Sequence, residues 1–190
     1  MTTINGKVCV VDGVAVDKVF SNGKLVYGRN LLKNTFDYAS SWSFSNQALT
    51  EILEADGTPT KIIKINYNPN GWVGVYQVYT NWSVKPKDGD TVTLSFYAKG
   101  NGRIYSSIEG IAGAINTNAT SEWKLYNLTG VATKEITNIS IYLHNIVTTA
   151  TSIYVHSVKF EINGEPTIYT PAPEDVLKGY IAAPNNLVVK

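Results

Sequence analysis

The sequence predicts an all-β protein: a β-sandwich or jelly roll of two antiparallel sheets, with a small N-terminal β-meander. Composition is the first reason. Among 190 residues, Tyr, Thr, Val, Ile, Asn and Gly are plentiful while Met and Cys occur once each, a bias toward pleated surfaces and tight turns. Alternation is the second. In residues 91–99, Val92, Leu94, Phe96 and Ala98 fall on one side and Thr91, Thr93, Ser95, Tyr97 and Lys99 on the other, the period of a strand with one face in a core and one in water. The third is punctuation: many short strand-like runs are separated by turn signals at regular spacing, as in sandwiches and barrels.

Residues 1–29 read as the meander. Runs KVCVV, VAVDKVF and LVYG are separated by Asp12-Gly13 and Asn22-Gly23, both strong hairpin signals. So small a unit buries little alone, so it is expected to pack on the main domain or on another subunit. The main domain spans 30–164. Residues 47–55 read as strand or loop, and 61–67 as a strand. Asn68-Pro69-Asn70-Gly71 is a turn. Residues 72–84 are apolar on both faces, which leaves their register open. Residues 103–109 alternate, with Ile104, Ser106 and Ile108 opposite Arg103, Tyr105, Ser107 and Glu109. Residues 110–120 read as a small-residue loop and 123–129 as a strand. In 135–144, Ile139, Ile141 and Leu143 point inward and Ser140, Tyr142 and His144 outward. The last long strand, 152–162, changes phase: Ile153 and Val155 are odd, Val158 and Phe160 even. A one-residue bulge at His156–Ser157 restores the phase. The tail, 165–190, reads as an extended segment or linker in which Pro173 starts and Gly179 ends one helical turn, with an extended, exposed stretch expected beyond it.

The chemistry narrows the function classes. Charged residues make up 16% of the chain and the formal net charge is +1, which points away from nucleic acid and from anionic membranes. The N-terminus has no signal-peptide core and no apolar run approaches a membrane span. Cys9 stands alone in KVCVV and reads as a buried thiol. The Asn-x-Ser/Thr triplets at Asn81, Asn118, Asn127 and Asn138 read as ordinary sheet polarity. No GxSxG elbow or Cys–His arrangement is present. Glycosidase chemistry needs two facing carboxylates about 5–10 Å apart, and only Glu109 is assigned to a wet strand face. His144 and His156 fall on different strands without HExxH spacing, and KGNGR lacks the Walker pattern. Neither an enzyme nor a metal centre is expected.

Four segments carry a resemblance: NLLKNTFDYASSWSF, VKPKDGDTVTLSFYAKG, SEWKLYNLTG and SIYVHSVKFEING. Together they resemble the jelly-roll carbohydrate-binding modules attached to many glycoside hydrolases. The flanks, INGKVCVVDGVAVDKVFSNGKLVYGRNLL and PTIYTPAPEDV, are similar to tail and baseplate proteins of phages that infect Gram-positive bacteria. The resemblance implies a virion protein that adheres to cell-wall or other surface polysaccharide without catalysis. It implies other tail or baseplate proteins as partners, and a homo-oligomer is an open possibility. Some members hold a structural calcium with the help of an aspartate pair in the last strand. His156 and Ser157 stand at the matching positions, and neither is a hard anionic ligand, so no cofactor is expected unless another carboxylate such as Asp37 contributes. The alternatives are a structural spacer of the tail and an accessory module of a glycoside hydrolase.

A glycan site needs flat aromatic faces for sugar rings and polar groups for their hydroxyls. The candidates are Trp72, Tyr76, Gln77, Tyr97, Arg103, Tyr105, Glu109, Tyr142 and His144. Trp42 and Trp123 are expected in the core and Trp82 at its edge. If Trp72 is exposed, Tyr76 shares its face and Gln77 is buried and hydrogen-bonded; if Trp72 is core, Gln77 lines the groove. Whether the outward rows share one sheet is left open by the sequence.

Overall fold

The alternation of residues 91–99 becomes β9 (Thr91–Asn101), whose Val92, Leu94, Phe96 and Ala98 are completely buried. The computed structural model describes residues 9–11, 14–82, 84–146, 149–177 and 187–189. The earlier strands are β1 (Cys9–Val11), β2 (Val14–Ala15), β3 (Lys18–Ser21), β4 (Lys24–Gly28), β5 (Ser43–Phe44), β6 (Thr50–Leu53), β7 (Ile62–Asn66) and β8 (Val73–Val78). After β9 come β10 (Arg103–Ile108), β11 (Ile115–Asn118), β12 (Lys124–Val131), β13 (Asn138–His144), β14 (Ser152–Glu161), a single turn α1 (Pro173–Leu177) and β15 (Leu187–Val189).

The fold is a β-sandwich jelly roll. One sheet runs β11-β10-β13-β8-β5 and the other β12-β9-β14-β7-β6, and every neighbour in both is antiparallel. The core lies between them. The first sheet contributes Ile104, Ile139, Ile141, Leu143, Val73 and Val75, all 1% exposed or less. The second contributes Ile63, Ile65, Ile153, Val155, Val158 and Phe160 beside the β9 residues, all completely buried. The expected bulge is present: pairing of β14 with β9 shifts between His156 and Lys159, and Ser157 adopts φ +53. That extra residue lets Ile153 and Val155 share the core with Val158 and Phe160 despite their opposite parity.

The flanks are built onto the outer side of the second sheet. β3 and β4 form the hairpin signalled by Asn22-Gly23, whose φ values of +51 and +74 are those of a type I′ turn. β2 pairs antiparallel with β1, and β15 pairs with β1 in parallel. Asp12-Gly13 and Gly179 fall outside the described residues. Tyr27 of β4 is 1% exposed, and its ring lies 5.5 Å from Lys159 Nζ. The Gly28 amide donates to Thr167 Oγ1. A Cβ on Gly28 would fall 2.0 Å from Glu161 Oε2, so only glycine allows this approach. The Asn30 side chain ties the flanks to the core: its amide donates to Val158 O and Thr170 O, while its Oδ1 accepts from Leu32 and Phe160.

The exposed segment expected beyond Gly179 begins within 178–186, outside the described residues; before it, Thr170, Ala172 and Asp175 are buried against the core domain. Three expectations change here. Thr93 and Ser95, assigned to water by alternation, are 0% and 3% exposed, because the flanking segments cover that half of the sheet and Thr93 donates to Asn163 O. Residues 110–120 hold a strand, β11, which pairs with β10. Trp123 is half-exposed on the outer face, where the Lys99 ammonium sits 4.7 Å over its ring. Trp42 and Trp82 do join the core, at 6% and 4% exposure.

Candidate glycan-binding face

Register decides which outward side chains meet. Across the first sheet, Arg103 pairs with His144 and Tyr105 with Tyr142. Tyr142 pairs with Gly74, and Leu143 with Val73, which sets Trp72, one residue before β8, beside His144. Two rows result on the outer face: Asn118, Arg103, His144 and Trp72, then Asn116, Tyr105, Tyr142 and Gly74. A third row carries Ser107, Ser140, Tyr76 and Ser43. The two hydroxyls Ser107 Oγ and Ser140 Oγ are 2.9 Å apart.

Trp72 gathers the rings. Its centroid lies 4.8 Å from Tyr105, 6.0 Å from Tyr142 and 4.3 Å from His144, at tilts of 44–54°. It remains 41% exposed, so the cluster has open aromatic surface and is not a piece of core. Gly74 makes this packing possible. A Cβ there would fall 2.1 Å from Ile141 O and 2.6 Å from Tyr142 Cδ1, so any other residue would push Tyr142 off the sheet. Burial, with Tyr76 nearby, raises the Tyr142 phenol above its usual value; at neutral pH it keeps its proton and can donate.

The polar groups are oriented as well. The Ile146 amide donates to His144 Nδ1 at 3.1 Å. With Nδ1 accepting, the neutral ring carries its hydrogen on Nε2. Arg103 Nε donates to Asn116 Oδ1, which holds the guanidinium at the edge of the aromatic rows. The structure therefore brings together Trp72, Tyr76, Arg103, Tyr105, Tyr142 and His144 on one face.

Three candidates are placed otherwise. Gln77 turns inward and is completely buried. Its Nε2 donates to Lys33 O at 2.9 Å, and its Oε1 accepts from the Lys33 amide at 3.1 Å. It is a fold residue, buried as the first of its two alternatives required, because an exposed Trp72 sets odd positions of β8 inward. Gln77→Ala is expected to cost about 1–2 kcal/mol, since the Lys33 amide loses its acceptor while Lys33 O keeps the Trp42 indole as donor; a urea midpoint equal to wild type would contradict this. Tyr97 lies on the other sheet, stacked on His156 at 5.2 Å, so it cannot join the Trp72 cluster. Glu109 is on the correct face but six residues from Arg103, about 20 Å along the strand, and is engaged by Lys134 and Asn138. Among the described residues, no group of three or more His, Cys, Asp or Glu side chains is placed to hold a metal ion.

His156 has a consequence of its own. Burial, with the Lys99 ammonium nearby, pushes its pKa from 6.5 down to about 4. A folded-state value below the unfolded one means stability that is complete above pH 6.5 and is lost as pH falls toward 4, by up to about 3 kcal/mol. Wild type is therefore expected to lose more stability than His156→Gln between pH 7 and pH 4 in urea titrations; parallel losses would overturn it.

Sequence reasoning missed Asn116, because β11 was hidden among small residues; the Ile115–Asn118 alternation opposite 103–106 is the signal that could have found it. No protein-family model matches the sequence, and no curated protein is significantly similar to it. Several solved structures share the fold. The CBM22-1 xylan-binding domain of Paenibacillus barcinonensis Xyn10C superposes with a TM-score of 0.52 at 11% identity, covering 74% of this chain and 99% of that one. TmCBM61, solved in complex with β-1,4-galactotriose, has a TM-score of 0.50 at 11% identity, covering 72% and 100%. The enzymatically active domain of tailspike protein 4 from bacteriophage CBA120 has a TM-score of 0.52 at 15% identity, covering 70% of this chain but only 21% of that one. The chain thus has the jelly-roll fold of carbohydrate-binding modules, at identities that speak for the fold alone.

Proposed function

We propose that the chain is a non-catalytic glycan-binding module and that the outer face of the β11-β10-β13-β8-β5 sheet is its site. The observation that carries this is the open ring cluster around Trp72, given room on the sheet by Gly74 and bordered by polar groups. A pyranose ring offers an apolar face to such a platform and hydroxyls to the Tyr105, Tyr142 and Tyr76 phenols. Titration calorimetry against a panel of plant and bacterial wall polysaccharides tests it. Binding that is lost in Trp72→Ala but retained in Tyr97→Ala supports the site; loss in Tyr97→Ala with retention in Trp72→Ala moves the site to the other sheet.

The finer setting we infer is a phage tail or baseplate, with the chain carried in the virion and adhering to the wall polysaccharide of a Gram-positive host. The flanking sequences and the tailspike neighbour support it. Val14 and Phe20, at 68% and 61% exposure on the flanking strands, fit contacts with other tail subunits or a second copy. Weak binding per site would be strengthened by several copies. A fluorescent fusion should label intact Gram-positive cells of a susceptible strain and not cells stripped of wall polysaccharide; equal labelling of both would remove this setting. The carbohydrate-binding-module neighbours also fit an accessory module of a glycoside hydrolase, a reading favoured if the protein binds plant polysaccharides and no bacterial wall.

A further inference from the structure

We propose that the glycan taken by this face is acidic, its carboxylate or phosphate group held by Arg103 beside the Trp72 platform. The inference rests on the glycan-binding reading above and names the substrate class.

The chain has two arginines. Arg29 is held between Asp17 and Glu174. Arg103 is different. Among the described residues no carboxylate pairs with it, and neither Nη has a hydrogen-bond acceptor. Its Nε donates to Asn116 Oδ1, which leaves the Nη edge open to a ligand. An open guanidinium edge matches the paired oxygens of a carboxylate or phosphate.

The rest of the row agrees. His144 has spent its acceptor, Nδ1, on the Ile146 amide, and presents Nε2 only as a donor. Asn116 Oδ1 is spent on Arg103 itself, and the other amide of the row, Asn118, lies on the far side of Arg103 from Trp72. The outer row therefore offers donors at Arg103 and His144 two adjacent strands wide, about 5 Å apart, next to exposed indole. Neutral sugar hydroxyls want donors and acceptors in mixture, whereas the adjacent donors of Arg103 and His144 are complementary to a group that only accepts. Glu109, on the same face, is about 20 Å away along the strand and is occupied by Lys134 and Asn138, so it does not oppose an anion at Arg103. A sugar ring stacked on Trp72 with its acid group one or two strands away reaches Arg103 without leaving the sheet.

The test uses the full chain and matched polymers. Polygalacturonate is compared with its fully methyl-esterified form, which removes the carboxylate charge and keeps the ring. Poly(glycerol phosphate) carrying sugar substituents is compared with a neutral galactan. Wild type is expected to favour at least one charged polymer over its neutral match by about tenfold or more at low salt, and to lose much of that preference at 0.5 M NaCl. Which arm responds assigns the anion to a uronate or to a phosphodiester. Arg103→Gln is expected to abolish the preference, and Arg103→Lys, a charge without the fork, to restore part of it. Thermal melts of both variants confirm the fold. Equal affinity for charged and neutral partners, or a preference that survives Arg103→Gln, overturns the acidic class while Trp72-dependent binding keeps the site. Failure of every polymer to bind folded wild type overturns both.

Discussion

Trp72→Ala is expected to weaken glycan binding by about thirtyfold or more, the cost of truncating one central aromatic anchor at about 2 kcal/mol. The fold should barely notice. Trp72 is 41% exposed and touches other surface rings, Tyr105, Tyr142 and His144, so its removal opens no core cavity and the stability change should stay within about 0.5–1 kcal/mol. Trp82→Ala is the contrast. That ring is 4% exposed and packs 5.0 Å from Phe160, so its loss should cost about 3–5 kcal/mol through the cavity it leaves. Calorimetry and urea unfolding on the two variants separate the roles. Undiminished affinity in Trp72→Ala would remove the platform from the site.

An equally large effect on stability is expected from Glu161→Gln. Lys159 and Glu161 are both completely buried, with Nζ and Oε2 3.6 Å apart. Lys159 Nζ also donates to Thr167 Oγ1 and Ile168 O, and Glu161 accepts from Asn163 Nδ2, the Thr167 amide and Thr167 Oγ1. The substitution keeps the shape and removes the charge, leaving a buried ammonium without its counter-ion, at about 3–5 kcal/mol. The deficit should depend on pH in a defined sense. Burial already pushes the Lys159 pKa down to about 8, with Glu161 resisting the shift, and the glutamine removes that resistance. The unfolded chain keeps its proton to about 10.4. Between those values the unfolded state binds more protons, so stability gained on raising the pH from 7 to 9 should be greater in the variant than in wild type. Lys159→Met combined with Glu161→Leu should recover much of the loss, since neither charge is then stranded. A single Glu161→Gln that unfolds at the wild-type urea midpoint would show that the pair is not a keystone of the flank.

The strands β9, β10 and β13 were legible because each puts a strict period-two pattern on one buried face: Ile104 and Ile108, Ile139 and Ile141, Val92 to Ala98. The β14 bulge was legible for the same reason, as a break in that period at His156. β8 resisted because its wet face carries Trp72 and Tyr76 and its buried face carries Gln77, so the polarity contrast that reveals register is inverted at both ends. Tyr97 and Tyr105 look alike in sequence. What separates them is pairing with β12 and β14 in one case and with β11 and β13 in the other, and no local pattern encodes which distant strand a hairpin joins. Thr93 and Ser95 looked wet because alternation knows nothing of a flank folding back from more than sixty residues away. The same limit hid Asn116, whose importance lies in the arginine across the ladder.

The parallel pairing of β1 with β15 has a mechanical meaning. Cys9, Val10 and Val11 sit level with Leu187, Val188 and Val189, so the strand that leads into the molecule and the strand that leads out lie side by side and point the same way. Tension applied along the chain from beyond both strands would slide them lengthwise past each other. In that direction the hydrogen bonds of the pair share the load and must fail together, whereas a hairpin pulled from its open end gives way one bond at a time. A protein tethered by both ends would meet a drag force first at this short clamp, with the Trp72 face and the sandwich behind it left unloaded until the clamp parts.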